Sequence, residues 1–146
     1  MKILHLCETL KGGIATHLNN LVRLQLKEYR DAEIIVLCPA HHAEYVDAPG
    51  VTIIPFTHRG RNALGIAALC WEWAGLIRRH RPDLLHLHSS FAGLIGRTVP
   101  HSARIVYCAH GWSFTTNASP TKKHIYRIIE RLLSARSDAI VVISRS

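Results

Sequence analysis

Short apolar runs alternate with stretches of helical periodicity along the whole of this 146-residue chain, and that alternation limits its fold more than any other feature. The runs are residues 2–7, 33–38, 51–54, 83–87, 105–108 and 138–143. They are rich in Ile, Leu and Val and too short for stable helices, the pattern of strands buried on both faces. Between them, Ile14, Leu18, Leu21, Val22 and Tyr29 recur at helical spacing, and residues 63–79 and 91–98 read as helices. After Ser119-Pro120, a stripe of Ile125, Ile128, Ile129, Leu132 and Leu133 marks one more. Strands and helices alternating at this density predict an α/β fold. It is a doubly wound, mostly parallel Rossmann-like sheet of about six strands with helices on both faces, because right-handed crossovers leave few alternatives.

Local signals set the expected boundaries. Pro39 and Pro55 close the second and third strands, and residues 56–62, including His58, Arg59 and Arg61, form a polar loop over a strand end. His41 and His42 lie among small and polar residues and read as solvated loop histidines rather than metal ligands. Residues 63–79 are apolar on nearly all sides, Trp71 and Trp73 included, which predicts a helix covered on more than one face. Arg78, Arg79, His80 and Arg81 suit its carboxyl terminus before Pro82. Ser89 or Ser90 can cap the next helix. In the last helix the apolar stripe is expected on the sheet, with Lys123, Arg127, Glu130 and Arg131 facing outward. The length fits one domain. Its end, a strand followed by Ser144-Arg145-Ser146 as a helix cap, reads as a domain of a longer polypeptide.

Lys and Arg outnumber Asp and Glu by 18 to 10, a formal charge of +8 with eleven histidines besides. Such an excess suits phosphate-bearing ligands, an anionic membrane surface or nucleic acid. The basic residues are dispersed and not interleaved with aromatics, which argues against specific nucleic-acid binding. Cys7, Cys38, Cys70 and Cys108 show no C-x-x-C or Cys/His metal spacing, and three of them sit in apolar runs. They read as reduced thiols of a cytoplasmic protein. The first ten residues lack the apolar core of a signal peptide, and residues 63–77 are too short for a bilayer span, with Glu72 among them.

Chemistry concentrates where strands end. At 104–114, RIVYCAHGWSF, a buried strand breaks into His110-Gly111 and is followed by Trp112 and Phe114. Ligands of open α/β sheets gather beyond the carboxyl ends of the strands. His110 there either meets a substrate or caps a turn over Trp112. After the first strand, Gly12-Gly13 opens a helix, where backbone can approach a ligand and free N–H groups can meet an anion. The sequence GGIATH is neither a G-x-G-x-x-G fingerprint nor a phosphate loop ending in GK[ST], so a simple tight turn fits it as well. His86 and His88 share one face of their strand, either as ligand contacts or as packed histidines with satisfied hydrogen bonds.

Four segments, MKILHLCETLKGGIATHLNNL, RPDLLHLHSS, RIVYCAHGWSF and IERLLSARSDAIVVIS, together resemble the amino-terminal domain of the family-4 retaining glycosyltransferases of GT-B fold. The match in order and spacing runs over essentially the whole chain. HGWSF, the basic helix and IERLLSARSD are most similar to enzymes that build capsule, exopolysaccharide or O-antigen chains. The resemblance implies that residues 1–146 form the acceptor-side domain, with the main nucleotide-sugar-binding domain outside this chain. It implies that Gly12, Gly13 and Gly111 approach the donor and that His110 is the catalytic-site histidine beside the donor sugar. His88, Ser89, Trp112 and Phe114 then belong to the acceptor side. The implied partners are a nucleotide-sugar donor and a lipid-linked saccharide acceptor, with no metal or other cofactor. Lys122, Lys123, Arg127 and Arg131 become candidates for contact with the inner leaflet, making the protein cytoplasmic and peripheral to the membrane. The competing expectation is a stand-alone Rossmann-like module that binds a nucleotide or phosphosugar without catalysis.

Overall fold

The structure, a computed structural model, describes residues 1–57, 62–111, 117 and 119–143. Its elements are β1 (Lys2–Cys7), α1 (Gly13–Glu28), β2 (Glu33–Pro39), a 3-10 turn (Ala40–Tyr45), β3 (Thr52–Phe56), α2 (Ala63–His80), β4 (Leu84–His88), α3 (Ser90–Thr98), β5 (Arg104–Cys108), α4 (Pro120–Ser134) and β6 (Ala139–Val141). All neighbouring strands are parallel, in the order β3-β2-β1-β4-β5-β6. This is the doubly wound sheet expected from the sequence, and its order reverses between β1 and β4.

Strand alternation divides the core into two layers. Leu4, Leu6, Leu85, Leu87, Ile105 and Tyr107 point to one face, where Leu69, Trp73 and Ile77 of α2 and Ala92 and Ile95 of α3 cover them. Ile3, Cys7, Ile34, Val36 and Cys38 point to the other, under Leu18 and Val22 of α1. Gly93 and Gly96 bring α3 close to the sheet, since a Cβ there would overlap Tyr107 or Leu87. Asp83 and Asp138 precede β4 and β6 rather than opening them. Each carboxylate accepts a backbone N–H of the adjacent strand, from Lys2 and Ile105 respectively, both at 2.7 Å. They pin the strand register.

Several further expectations are corrected. Pro55 does not close β3, which continues to Phe56. As an edge strand it pairs only with β2, so the missing N–H has no partner to fail. His42 is buried, and its Nδ1 accepts the Leu10 N–H at 3.2 Å, tying the 3-10 turn to the loop after β1. α2 is covered on one face only, for Leu64 and Trp71 are 85% and 77% exposed while Trp73 is fully buried. In α4 the inward side carries Tyr126, Ile129, Glu130 and Leu133, whereas Ile125, Ile128 and Leu132 are exposed. The stripe splits because Glu130 is drawn inward by Arg97 of α3 at 2.7 Å. β6 is also shorter than the apolar run that predicted it. No described helix is long and apolar enough to cross a membrane.

Candidate functional site

β1, β4 and β5 lie side by side, and the turn after each carries a residue with positive φ: Gly12 at 54°, Ser89 at 87° and His110 at 53°. For Ser89 and His110 that conformation costs on the order of 1–3 kcal/mol, and such strain gathers at functional sites. It is sustained here by hydrogen bonds. The Ser89 N–H donates to the Cys108 carbonyl at 2.9 Å, and the Ser90 hydroxyl donates to the Gly111 carbonyl at 3.3 Å. Ser89 is the cap foreseen for α3, its Oγ accepting the Ala92 N–H.

A cleft of about 420 Å³ opens over these strand ends, lined by Glu8, Ile14, Ser90, His110, Gly111 and Tyr126 among others. At the start of α1, Gly12 offers no side-chain cap and the first turn holds no acidic residue. Space is open above both glycines, since an added Cβ at either would meet nothing within 4 Å. The Ile14 N–H donates to the Lys11 carbonyl at 3.3 Å, and N–H groups left uncapped at a helix start can take an anion. In the wall of the cleft, buried Arg97 donates to Glu130 at 2.7 Å, and Glu130 accepts the Tyr107 hydroxyl at 3.0 Å. Arg97 also stacks on the Tyr107 ring at 4.0 Å. Burial, first of all, pushes the Tyr107 phenol up to about 12. The Arg97 charge is paired with a carboxylate in the cleft wall, while its Nη1 is buried with no hydrogen-bond partner among the described residues.

On the α1 face, three strand histidines replace what would otherwise be apolar core. His5 and His86 are in register across β1 and β4, and His88 lies beside Cys7 and Cys108. The rings stack, with centroids 5.1 Å apart for His5 and His86 and 4.4 Å for His86 and His88. Hydrogen bonds join Gln25 Oε1 to His5 Nε2 at 2.9 Å, His5 Nδ1 to His88 Nε2 at 3.0 Å, and His88 Nδ1 to His110 Nε2 at 3.0 Å. The edge of His17, from α1, meets His110 with centroids 5.0 Å apart. Burial depresses all four bonded or stacked strand-side imidazoles: His5 and His110 to about 4, His86 to about 3, and His88 well below its ordinary value. Charge repulsion from neighbouring imidazoles adds to it.

His5, His86 and His88, and likewise His17, His88 and His110, hold nitrogens within 4.8 Å of one another. A metal ion at either triad would have to displace hydrogen bonds, because His88 already spends both nitrogens on His5 and His110.

Of the residues singled out by sequence, the structure brings His110, Gly111, His88 and Ser89 together and sets Gly12 and Gly13 on the turn beside the same cleft. Trp112, Phe114, His58, Arg59 and Arg61 lie outside the described residues. Lys122, Arg127 and Arg131 are exposed on α4 and Lys123 is half-buried. Sequence reasoning missed His5, His17 and Gln25. A single histidine inside the apolar run KILHLC was the available signal, since a buried polar group needs a partner.

The model of a glycosyl transferase 4-like domain matches residues 12–146. An uncharacterized 41.2 kDa protein in a cps region of Klebsiella pneumoniae is 31% identical over 97% of this chain and 39% of its own length. A glycosyltransferase from Rickettsia africae superposes with a TM-score of 0.65 at 18% identity, covering 99% of this chain and 43% of that one. Anabaena HepE in complex with UDP and glucose gives 0.62 at 18%, over 96% and 37%. The UDP-GlcNAc 2-epimerase of Methanocaldococcus jannaschii gives 0.65 at 16%, over 99% and 40%. These likenesses establish a shared fold, and this chain spans well under half the length of each relative.

Proposed function

The chain belongs to the glycosyl transferase 4-like domain family, and from that premise we propose that it is the amino-terminal half of a retaining glycosyltransferase. The enzyme moves a sugar from a nucleotide-sugar donor to a lipid-linked or growing polysaccharide acceptor. One observation carries this reading: Glu8 and Ile14 from the α1 side and His110 and Gly111 from the β5 side line a single cleft at the strand ends.

In retaining transfer a positively polarised sugar carbon forms as the diphosphate leaves. The diphosphate sits at Gly12 and Gly13, where the dipole and N–H groups of α1 stabilise its growing charge. His110 orients the donor sugar, and its low proton affinity keeps it neutral beside the positively polarised carbon. No carboxylate acts as nucleophile, and the acceptor attacks on the face from which the diphosphate departs. Trp112 and Phe114, with Ser89, contact the acceptor; His88 acts behind His110. The site uses no metal, and the donor's main pocket lies in a second domain. Works on a lipid-linked acceptor imply contact with the cytoplasmic leaflet, for which α4 is the candidate surface.

The reading is tested with residues 1–146 alone and with the longer polypeptide, using nucleotide-sugars and lipid-diphosphate acceptors. The short chain should fold and transfer nothing, while the longer one should give a product with the donor's anomeric configuration. An inverted product would overturn retention, and a donor epimerised without transfer would place the protein with the epimerases of the same fold. Nucleotide binding without turnover by either form would favour the binding-only module.

A further inference from the structure

We propose that Gln25, His5 and His88 are positioning residues: they form a one-way hydrogen-bond line that fixes the tautomer of His110. The line runs from α1 through the centre of the sheet to the turn after β5, with links of 2.9, 3.0 and 3.0 Å. Gln25, His5 and His88 are all buried, so water does not compete for these bonds.

The direction follows from counting protons. Gln25 presents its carbonyl oxygen, which can only accept, so His5 carries its hydrogen on Nε2. A neutral imidazole has one N–H, and His5 Nδ1 must therefore accept, from His88 Nε2–H. His88 Nδ1 must accept in turn, from His110 Nε2–H. His110 Nδ1 is left with an unused lone pair, and that atom is buried without a partner. Any hydrogen bond the His110 ring makes to a ligand through Nδ1 is then one it accepts, from a sugar hydroxyl for example. His17, whose Nε2 is also buried and unpartnered, stands at the same ring and can fill the place when no ligand does. His86 stacks against His5 and His88 and holds their planes.

Protonating His88 would put a hydrogen on both its nitrogens and force His110 into the opposite tautomer. Burial among neighbouring imidazoles opposes that, first by desolvation and then by mutual repulsion. Nor is the line a proton wire, because it ends in an amide that neither takes nor releases a proton. Its work is orientation, as when the partner of one ring nitrogen decides which nitrogen of a histidine is left to act.

The catalytic consequence rests on the glycosyltransferase reading above, but the tautomer does not, and the test separates the two. Long-range proton–nitrogen NMR spectra of histidine-labelled protein at neutral pH should show His5, His88 and His110 each as a neutral Nε2–H tautomer. His110 found as Nδ1–H or as imidazolium would overturn the proposal without any variant. Gln25→Met keeps side-chain volume and removes the acceptor, so His110 should lose its single tautomer and populate both. Retention of a pure Nε2–H His110 in that variant would equally overturn it. Where transfer is measurable, Gln25→Met should lower kcat while leaving donor KM nearly unchanged. A longer polypeptide that transfers no sugar yet shows the three Nε2–H rings would sink the enzymatic reading and keep the line.

Discussion

His88 Nδ1 lies 3.0 Å from His110 Nε2, joining the last residue of β4 to the left-handed residue after β5. A residue named from the sequence as acceptor-side and one named as catalytic thus share one hydrogen bond. His88 reaches the site through His110, not beside it.

Replacing His110 with Ala in the longer polypeptide should lower kcat about tenfold or more, the loss expected for one transition-state contact of about 1.4 kcal/mol. Its stability should fall by about 1–3 kcal/mol, because Ala relieves none of the strain at φ 53° and leaves the buried His88 Nδ1 without its donor. An unchanged rate removes His110 from the site.

The two glycines should separate. Gly12→Ala places a Cβ at φ 54° and should cost on the order of 1–2 kcal/mol in stability. Gly13→Ala, inside the helix with open space around it, should be neutral or stabilising by about 0.5 kcal/mol. Both should raise donor KM if phosphate approaches this backbone. Denaturant titration alongside donor kinetics checks the pair, and an unaltered KM in Gly13→Ala would favour a turn without a ligand.

Glu130→Leu should destabilise strongly, by about 3–5 kcal/mol, because Arg97 is 1% exposed and would be left as an unpaired buried charge. The Arg97→Met/Glu130→Leu double variant should be less damaged than either single change. Urea unfolding of the four proteins gives the coupling directly, and additive losses would show that the pair is not coupled.

Stability should fall as pH drops from about 6.5 towards 4. The folded state holds His5 and His110 near 4 and His86 near 3, so in this window the unfolded chain binds more protons. Each such histidine adds a slope of about 1.4 kcal/mol per pH unit, its stabilisation complete above 6.5 and lost as pH falls through the folded value. His5→Phe should flatten the curve. A profile level between pH 7 and 5 would contradict the buried neutral cluster.

If α4 meets a leaflet, co-sedimentation with vesicles should require anionic lipid and weaken with salt. It should fall in Lys123→Ser/Arg127→Ser/Arg131→Ser, each cation contributing about 1 kcal/mol near the surface. Because Ile125, Ile128 and Leu132 are exposed beside these cations, Leu132→Ser should weaken binding too. Binding indifferent to all four changes would discard the helix as a membrane surface.

The sheet was legible in KILHLC, the run at 33–38 and RIVYC because a strand buried on both faces needs unbroken apolar residues, and parallel pairing needs helices between. Ser89, Ser119 and the turn at His110-Gly111 were legible too, since caps and turns are local and their residues carry their own geometry. Which face of α4 turns inward was not. Its stripe of Ile and Leu competed with Glu130, and the outcome depended on Arg97, 33 residues away and on another helix. Nor could His42 be distinguished from a solvated histidine before the loop carrying Leu10 lay against it. The histidine line is the clearest case. Nothing local to His5, His88 or His110 names its partner, and only the parallel register of β1, β4 and β5 with Gln25 of α1 above them makes four separate polar groups into one hydrogen-bonded path. Local pattern is set by neighbours along the chain, whereas partners for buried polar groups are chosen across it.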